Sequence, residues 1–106
     1  MKKIVLHIDT SDNTKTSVGL SVEGTLFEKT EQVGNRSAQA VLPIVEKLLE
    51  EHSVRFEDLT AIEVNVGPGS YTGLRVGVSI ANTLASTLRI PINGKAVGET
   101  VEPIYQ

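Results

Sequence analysis

The sequence predicts one α/β domain in which two helices cover a single face of a β-sheet. Its 106 residues suffice for one hydrophobic core of modest size. The strand-like segments alternate apolar with polar residues, whereas strands covered on both faces are apolar throughout. Two longer segments repeat apolar residues at helical spacing. We therefore expect two layers, with the second face of the sheet left to solvent or to a partner.

The predicted order of elements is β-β-β-α-β-α-β. Strands are expected over residues 3–9, 15–22, 25–32, 60–66 and 90–93. A tight turn at Glu23-Gly24 joins the second strand to the third. Pro91 places the last strand at an edge of the sheet, because proline cannot donate a hydrogen bond to a neighbouring strand.

The two helices are expected over residues 38–52 and 73–88. Ser37 is the predicted N-cap of the first helix, since a serine hydroxyl can accept a bond from a free N–H of the first turn. Pro43 lies inside this helix and is tolerated near the first turns or kinks it.

Composition and charge exclude several classes of protein. The chain has no cysteine, so neither a disulfide framework nor a thiolate metal site is available to it. Its net charge is −3 and its ten basic residues are scattered, which argues against direct binding of nucleic acid. No stretch approaches the roughly 20 apolar residues of a membrane span, and the first residues lack a signal-peptide pattern. We expect a cytoplasmic protein without membrane association.

The predicted helices carry few charges for surfaces that face water. Between Gly73 and Leu88 the only charged residue is Arg75, whereas a solvent-facing helix normally has a charged back. Either the two helices merely pack on each other, or part of their surface binds a partner; we favour the second interpretation. The predicted partner-binding residues are Ala38, Leu42, Val45, Leu49, Arg75, Val76, Ser79, Ile80, Thr83 and Thr87.

A glycine-rich turn at residues 67–73 connects the fourth predicted strand to the second helix. Free N–H groups at a helix start attract phosphate, and glycines let a backbone approach closely. The spacing is not that of a dinucleotide site, and the lysine of a P-loop is missing. We interpret the segment as a structural turn with Thr72 as N-cap. The residues that would contact a phosphate are Gly67, Gly69, Ser70, Thr72 and Gly73.

Residues 66–77, VGPGSYTGLRVG, resemble the signature of the TsaB (YeaZ) family. Three further segments resemble that family in the same order: Ile8 to Ser11, Phe56 to Leu59, and Ile90-Pro91. The resemblance covers residues 4 to about 94. It implies a mixed five-stranded sheet of the ribonuclease H-like type, as in the N-terminal lobe of sugar kinases, Hsp70 and actin.

The resemblance also implies a function. Family members help to make the threonylcarbamoyladenosine of tRNA without catalysing its formation. They bind the catalytic paralogue TsaD through the two helices of this lobe, and the ATPase TsaE joins that assembly. The expected chain therefore has no catalytic residue, metal or cofactor of its own. It meets tRNA only indirectly. We also expect a homodimer when TsaD is missing, because the apolar helix surface would otherwise remain exposed to water.

The chain departs from the family in length. Family members have a second lobe of comparable size, but here the chain stops at residue 106. The last residues, Val101 to Tyr105, resemble the usual C-terminal end of the family. We expect a single domain over residues 1–106 that arose by internal deletion, which puts the contacts of the second lobe in doubt.

Two alternatives remain open from the sequence. Asp9 and Glu63 would share the polar face of the sheet, as the metal-binding carboxylates of ribonuclease H-like nucleases do. Such a site needs three or four acids, and Asp12 and Glu99 are the other candidates. The second alternative is a homodimeric module that binds a nucleotide or phosphate at the glycine-rich turn. We interpret His7, beside Asp9, as structural.

Overall fold

The computed structural model describes residues 2–104 of the chain. Tyr105, which contributed to the C-terminal resemblance, lies outside the described residues. The elements are β1 (Ile4–Asp9), β2 (Lys15–Val22), β3 (Thr25–Gln32), α1 (Ser37–Glu51), a 3₁₀ turn (Phe56–Asp58), β4 (Ala61–Val64) and α2 (Tyr71–Leu88).

The strands form one mixed sheet in the order β3-β2-β1-β4. β2 is antiparallel to both β1 and β3, and β4 is parallel to β1. The register places Leu6 opposite both Leu20 and Ile62, and all three side chains are fully buried. These leucine and isoleucine side chains form the floor of the core.

Both helices lie on this apolar face of the sheet, as predicted. α1 packs mainly on β2, and α2 packs on β4 and β1. Val41 and Val45 from α1 and Val78 from α2 join the same core cluster as the sheet residues. The opposite face carries more polar residues, including His7 and Glu63, and neither α1 nor α2 covers it.

The N-terminus of α1 differs from the prediction. Ser37 is the first residue of the helix and is buried, so it is not the N-cap. Arg36 occupies the N-cap position without a side-chain hydrogen bond, and its carbonyl oxygen accepts from the N–H groups of Gln39 and Ala40. α1 continues through Pro43.

The fifth strand that the sequence predicts over residues 90–93 is wrong, because only a single bridge joins Ile92 to Ile62. The backbone turns away from the sheet at Asn93 and Gly94, which have φ angles of 50° and 75°. The side-chain amide of Asn93 then replaces the missing strand. Its Oδ1 accepts from Val64 N at 2.8 Å, and its Nδ2 donates to Val64 O at 3.1 Å.

The segment after this turn returns along α2. Val101 is buried, and its backbone N–H and C=O bond to the side-chain amide of Asn82 at 3.0 and 2.9 Å. Further on, Ile104 N donates to Val66 O at 2.7 Å. Neither described helix is long and apolar enough to cross a membrane.

Replacement of Asn93 should expose the contribution of its side-chain amide. We expect Asn93→Ala to lower the free energy of unfolding by about 2 kcal/mol, because it removes two hydrogen bonds and places alanine at a positive φ. Asn93→Gly is the matched control, since glycine tolerates the backbone angle and loses only the hydrogen bonds. Urea denaturation of the three proteins measures both terms, and equal stability of all three would contradict the assignment.

Candidate partner-binding surface

An open groove runs between α1 and α2 on the side away from the sheet. Its volume is about 470 Å³, and it is lined by Ala38, Tyr71, Thr72, Arg75, Val76, Ser79 and Ile80. Val76 and Ile80 form a partly buried apolar floor that packs against the core. Ala38 and Ser79 are exposed at its sides. The groove is therefore apolar at its base and accessible from solvent.

Five of the ten predicted partner-binding residues line this groove: Ala38, Arg75, Val76, Ser79 and Ile80. Leu42, Thr83 and Thr87 lie outside it and are exposed on the same two helices. Whether these eight residues contact a partner stays a prediction.

Val45 and Leu49 require a correction, because their side chains are 0% and 3% exposed and belong to the core. They cannot reach a partner in this conformation. α1 turns the side that bears Val45 and Leu49 towards the sheet, while Leu42, one turn before, remains 41% exposed. Leu42 and Leu49 are seven residues apart and therefore lie on the same side of α1, so position along the helix, and not rotation about its axis, separates the exposed residue from the buried one. The apolar pattern of α1 alone does not show where along the helix the core ends.

Tyr71 is a residue of the groove that the sequence analysis missed. It is the first residue of α2 and is 59% exposed. Its hydroxyl oxygen accepts a long hydrogen bond of 3.4 Å from Nη1 of Arg75, whose guanidinium carbon lies 5.5 Å from the centre of the tyrosine ring. The spacing of four residues on one helix face is the sequence signal that could have predicted this pair.

The glycine-rich turn leads into α2 two residues earlier than predicted. Ser70 is the N-cap, and its Oγ accepts from Gly73 N at 3.2 Å. The prediction of Thr72 as N-cap is therefore wrong; Thr72 lies exposed in the first turn and lines the groove. Serine and threonine are both good caps, and only the path of the backbone decided between them.

Several N–H groups of the turn are already satisfied by the protein itself. Gly67 N donates to the side chain of Asn65 at 2.9 Å, and Ser70 N donates to Ser11 O at 2.7 Å. Gly73 N is bonded to Ser70, as described above. These donors are not available to a phosphate in this conformation, which favours the structural interpretation of the turn.

The glycines of the turn and of α2 allow a close approach to the end of β1. A Cβ atom on Gly69 would lie 2.6 Å from the side chain of Ser11, and one on Gly73 or Gly77 would collide with Thr10. The space thus gained lets the hydroxyl of Thr10 enter the helix. Its Oγ1 donates to Gly73 O at 2.5 Å and accepts from Gly77 N at 3.1 Å. These are the two backbone groups that an unbroken helix would join directly.

The acidic residues proposed for a metal site have separate partners. Asp9 accepts from the backbone and hydroxyl of Ser11 at 2.9 and 2.6 Å, and Asp12 makes the equivalent bonds to Thr14. Glu63 lies 3.7 Å from Nδ1 of His7. Glu99 lies in the exposed segment that follows α2 and the turn at Asn93. Within residues 2–104, no group of three or more potential ligands is placed to hold a metal ion.

The environment of Asp9 lowers its pKa. Partial burial acts to raise the pKa, but hydrogen bonds from the side chain and backbone of Ser11 and from Asn65 act in the opposite direction, together with the charge of Lys15. The net result is a pKa below the ordinary value of 3.8. The carboxylate organises the turn after β1 and remains ionised at neutral pH.

Comparison with known proteins identifies the family. A family model described as "TsaD: tRNA N6-adenosine threonylcarbamoyltransferase" matches residues 30–94. The chain belongs to this family. Among curated relatives, it is 37% identical over 97 residues to the tRNA threonylcarbamoyladenosine biosynthesis protein TsaB of Bacillus subtilis (strain 168), covering 92% of this chain and 42% of that protein. It is 34% identical over 90 residues to TsaB of Escherichia coli (strain K12), covering 85% of this chain and 38% of the relative.

Solved structures give the same result. The chain superposes on YeaZ from Pseudomonas aeruginosa with a TM-score of 0.81 and 33% identity, covering 89% of this chain and 44% of that one. A second P. aeruginosa structure, described as an uncharacterized protein with similarity to peptidase YeaZ, gives a TM-score of 0.82 at 33% identity, covering 89% and 43%. The resemblance to the TsaB (YeaZ) family and its α/β fold are thus confirmed. The chain spans less than half the length of these relatives.

Removal of the Thr10 hydroxyl should weaken the attachment of α2. We expect Thr10→Val, which keeps the shape of the side chain, to lower the free energy of unfolding by about 2 kcal/mol, because the bonds to Gly73 O and Gly77 N are lost at a buried position. Thr10→Ser retains the hydroxyl and should cost about 1 kcal/mol for the lost methyl group. Chemical denaturation gives both values, and a more stable valine than serine variant would contradict the role of the hydroxyl.

The lowered pKa of Asp9 predicts a dependence of stability on pH. A carboxyl whose pKa is lower in the folded chain stabilises the fold above its ordinary pKa of 3.8, and this contribution is lost as the pH falls through the folded pKa. We expect Asp9→Asn to be less stable than the unaltered chain at pH 7 and to converge with it towards about pH 2. Unfolding measured across this range isolates Asp9 from Asp12, whose pKa is also lowered, because Asp12 is present in both proteins. A difference independent of pH would refute the assignment.

Proposed function

We propose that this chain is a non-catalytic partner subunit in the biosynthesis of tRNA threonylcarbamoyladenosine. In this proposal it binds a TsaD-type catalytic subunit through the groove between α1 and α2. The observation that carries the proposal is the groove itself, an accessible surface with an apolar base in a family whose members include TsaB and TsaD. An exposed apolar groove of this kind is typical of a protein interaction site.

Shape and charge support this assignment of the groove. Val76 and Ile80 supply a continuous apolar strip along one side of α2, and Leu42 adds an exposed apolar side chain on α1. Charged residues are few there, and the core of a protein interface is depleted in charge. A helix pair of the partner that packs in the groove would bury these apolar side chains, and few charged side chains would lose their contact with water.

The proposal includes further partners and a place in the cell. A TsaE-type ATPase joins the assembly, and tRNA is met only through the catalytic subunit. Two copies of the chain pair through the same two helices when that subunit is missing. The protein acts in the cytoplasm and does not associate with a membrane. No cofactor is assigned to it.

A peptidase activity finds no support in the histidines of the described residues, although one structural neighbour is described as similar to a peptidase. Nε2 of His7 is buried without a hydrogen-bond partner, and its Nδ1 faces Glu63. His52 stacks on the ring of Phe27 with centroids 4.0 Å apart. A serine hydroxyl becomes a nucleophile when a base accepts a hydrogen bond from it, and neither histidine is placed to do so.

A charge placed in the groove should disrupt the complex without harming the fold. Ala38 is exposed, lines the groove and lies in the first turn of α1, where the helix dipole favours an acidic residue. We expect Ala38→Glu to weaken binding to the TsaD-type protein of the same organism at least tenfold in calorimetric titrations, because the new carboxylate would be buried against the partner.

Gln39→Glu is the matched control for this experiment. It introduces the same residue one position later, outside the groove, and should bind within about twofold of the unaltered chain. Absence of a complex between the unaltered chain and the TsaD-type protein at micromolar concentration would contradict the proposed function. Complementation of a strain that lacks TsaB tests whether these residues support modification of tRNA in the cell.

A further inference from the structure

Among the described residues that line the groove, Arg75 is the single charged one. It is also the only charge between Tyr71 and Leu88, so nothing else on α2 neutralises it. The ion pairs within residues 2–104 join His7 to Glu63 and Lys29 to Glu51, and neither involves Arg75. An exposed guanidinium thus lies beside an apolar strip, and no carboxylate of residues 2–104 pairs with it.

Tyr71 restrains this side chain before any partner arrives. The guanidinium carbon lies 5.5 Å from the centre of the tyrosine ring, within the range of a cation–π interaction, and Nη1 reaches the tyrosine hydroxyl at 3.4 Å. A restrained arginine loses less conformational freedom on binding than one that extends freely into water. Its planar group still has donors left for a second acceptor.

A partner that covers the apolar strip must also cover Arg75, which lies among the same lining residues. A guanidinium removed from water without an acceptor is strongly unfavourable, whereas a carboxylate that accepts two parallel bonds from it satisfies both groups. We propose that Arg75 is a specificity-determining contact that recognises a carboxylate on the docked TsaD-type subunit. This inference rests on the proposed function and names the chemistry that the partner must present.

A phosphate of RNA is the competing acceptor for an exposed arginine. Backbone recognition of nucleic acid uses several clustered cations, because its affinity grows with each phosphate neutralised. Arg75 is isolated on α2, and the chain has a net charge of −3. The carboxylate of a protein partner therefore fits this site better than an RNA backbone.

The test is a titration of the full chain with the TsaD-type protein at two salt concentrations. We expect Arg75→Gln to weaken binding about 30-fold or more and to reduce the dependence of the affinity on salt, since a charge pair is lost. Arg75→Lys should retain part of the affinity and most of the salt dependence, because it keeps the charge but not the paired geometry. Lys95→Gln removes a charge from an exposed residue outside the groove and should leave the affinity unchanged.

The outcomes separate this inference from the proposed function. Normal binding by Arg75→Gln, with binding lost in Ala38→Glu, would overturn the role of Arg75 and leave the groove as the docking site. Failure of the unaltered chain to bind would overturn the proposed function and this inference with it. Equal affinity of Arg75→Gln for the partner, together with weaker binding of the chain to tRNA, would assign the residue to RNA and reject the carboxylate. Thermal unfolding of each variant establishes that it is folded.

Discussion

The hydroxyl of Thr10 attaches α2 to the end of the central strand β1. It stands between Gly73 O and Gly77 N, so the end of β1 and the first turns of α2 share one buried hydrogen-bonding group. β1 is central in the sheet, with β2 on one side and β4 on the other. The position of α2 relative to this strand fixes where Val76 and Ile80 lie, and with them the base of the groove. The glycines are needed because any side chain at Gly73 or Gly77 would occupy the place of Thr10.

Asparagine side chains complete the structure where the backbone cannot. Asn93 pairs with Val64 as a neighbouring strand would, and Asn82 pairs in the same way with Val101. A carboxamide has the donor and acceptor of a peptide group, so it can substitute for one residue of a strand. Asn65 uses its amide differently, joining Gly67 N to Asp9. Together these side-chain contacts connect the segments before and after α2 to the rest of the fold without additional strands.

The layer arrangement could be predicted from the sequence because it depends on local patterns. Alternation in the strands predicts the buried face that carries Leu6, Leu20 and Ile62, and helical spacing predicts both helices on that face. Three details depended on longer-range geometry instead. Position along α1 determines that Leu49 is buried whereas Leu42, on the same side of the helix, is exposed. The path of the turn makes Ser70 the N-cap in place of Thr72. The side chain of Asn93 takes the place of the strand that an apolar segment had suggested. Half of the predicted interface residues line the groove, because the low charge of α2 indicated an interaction surface. Tyr71 also lines the groove, but a single aromatic residue at the start of a helix does not by itself indicate an interface.

The two sides of α2 differ in how freely their residues can be exchanged. Gly73 and Gly77 face Thr10 one turn apart, and a side chain at either position would collide with Thr10. Tyr71, Arg75 and Ser79 repeat at the same interval on the opposite side and line the open groove. Substitutions on this outer side change the lining of the groove and leave the attachment of α2 to β1 intact; under the proposed function they would alter what the helix binds. The helix therefore offers a route by which one fold can acquire a new binding preference, in evolution or in the laboratory, through two or three exchanges at the surface.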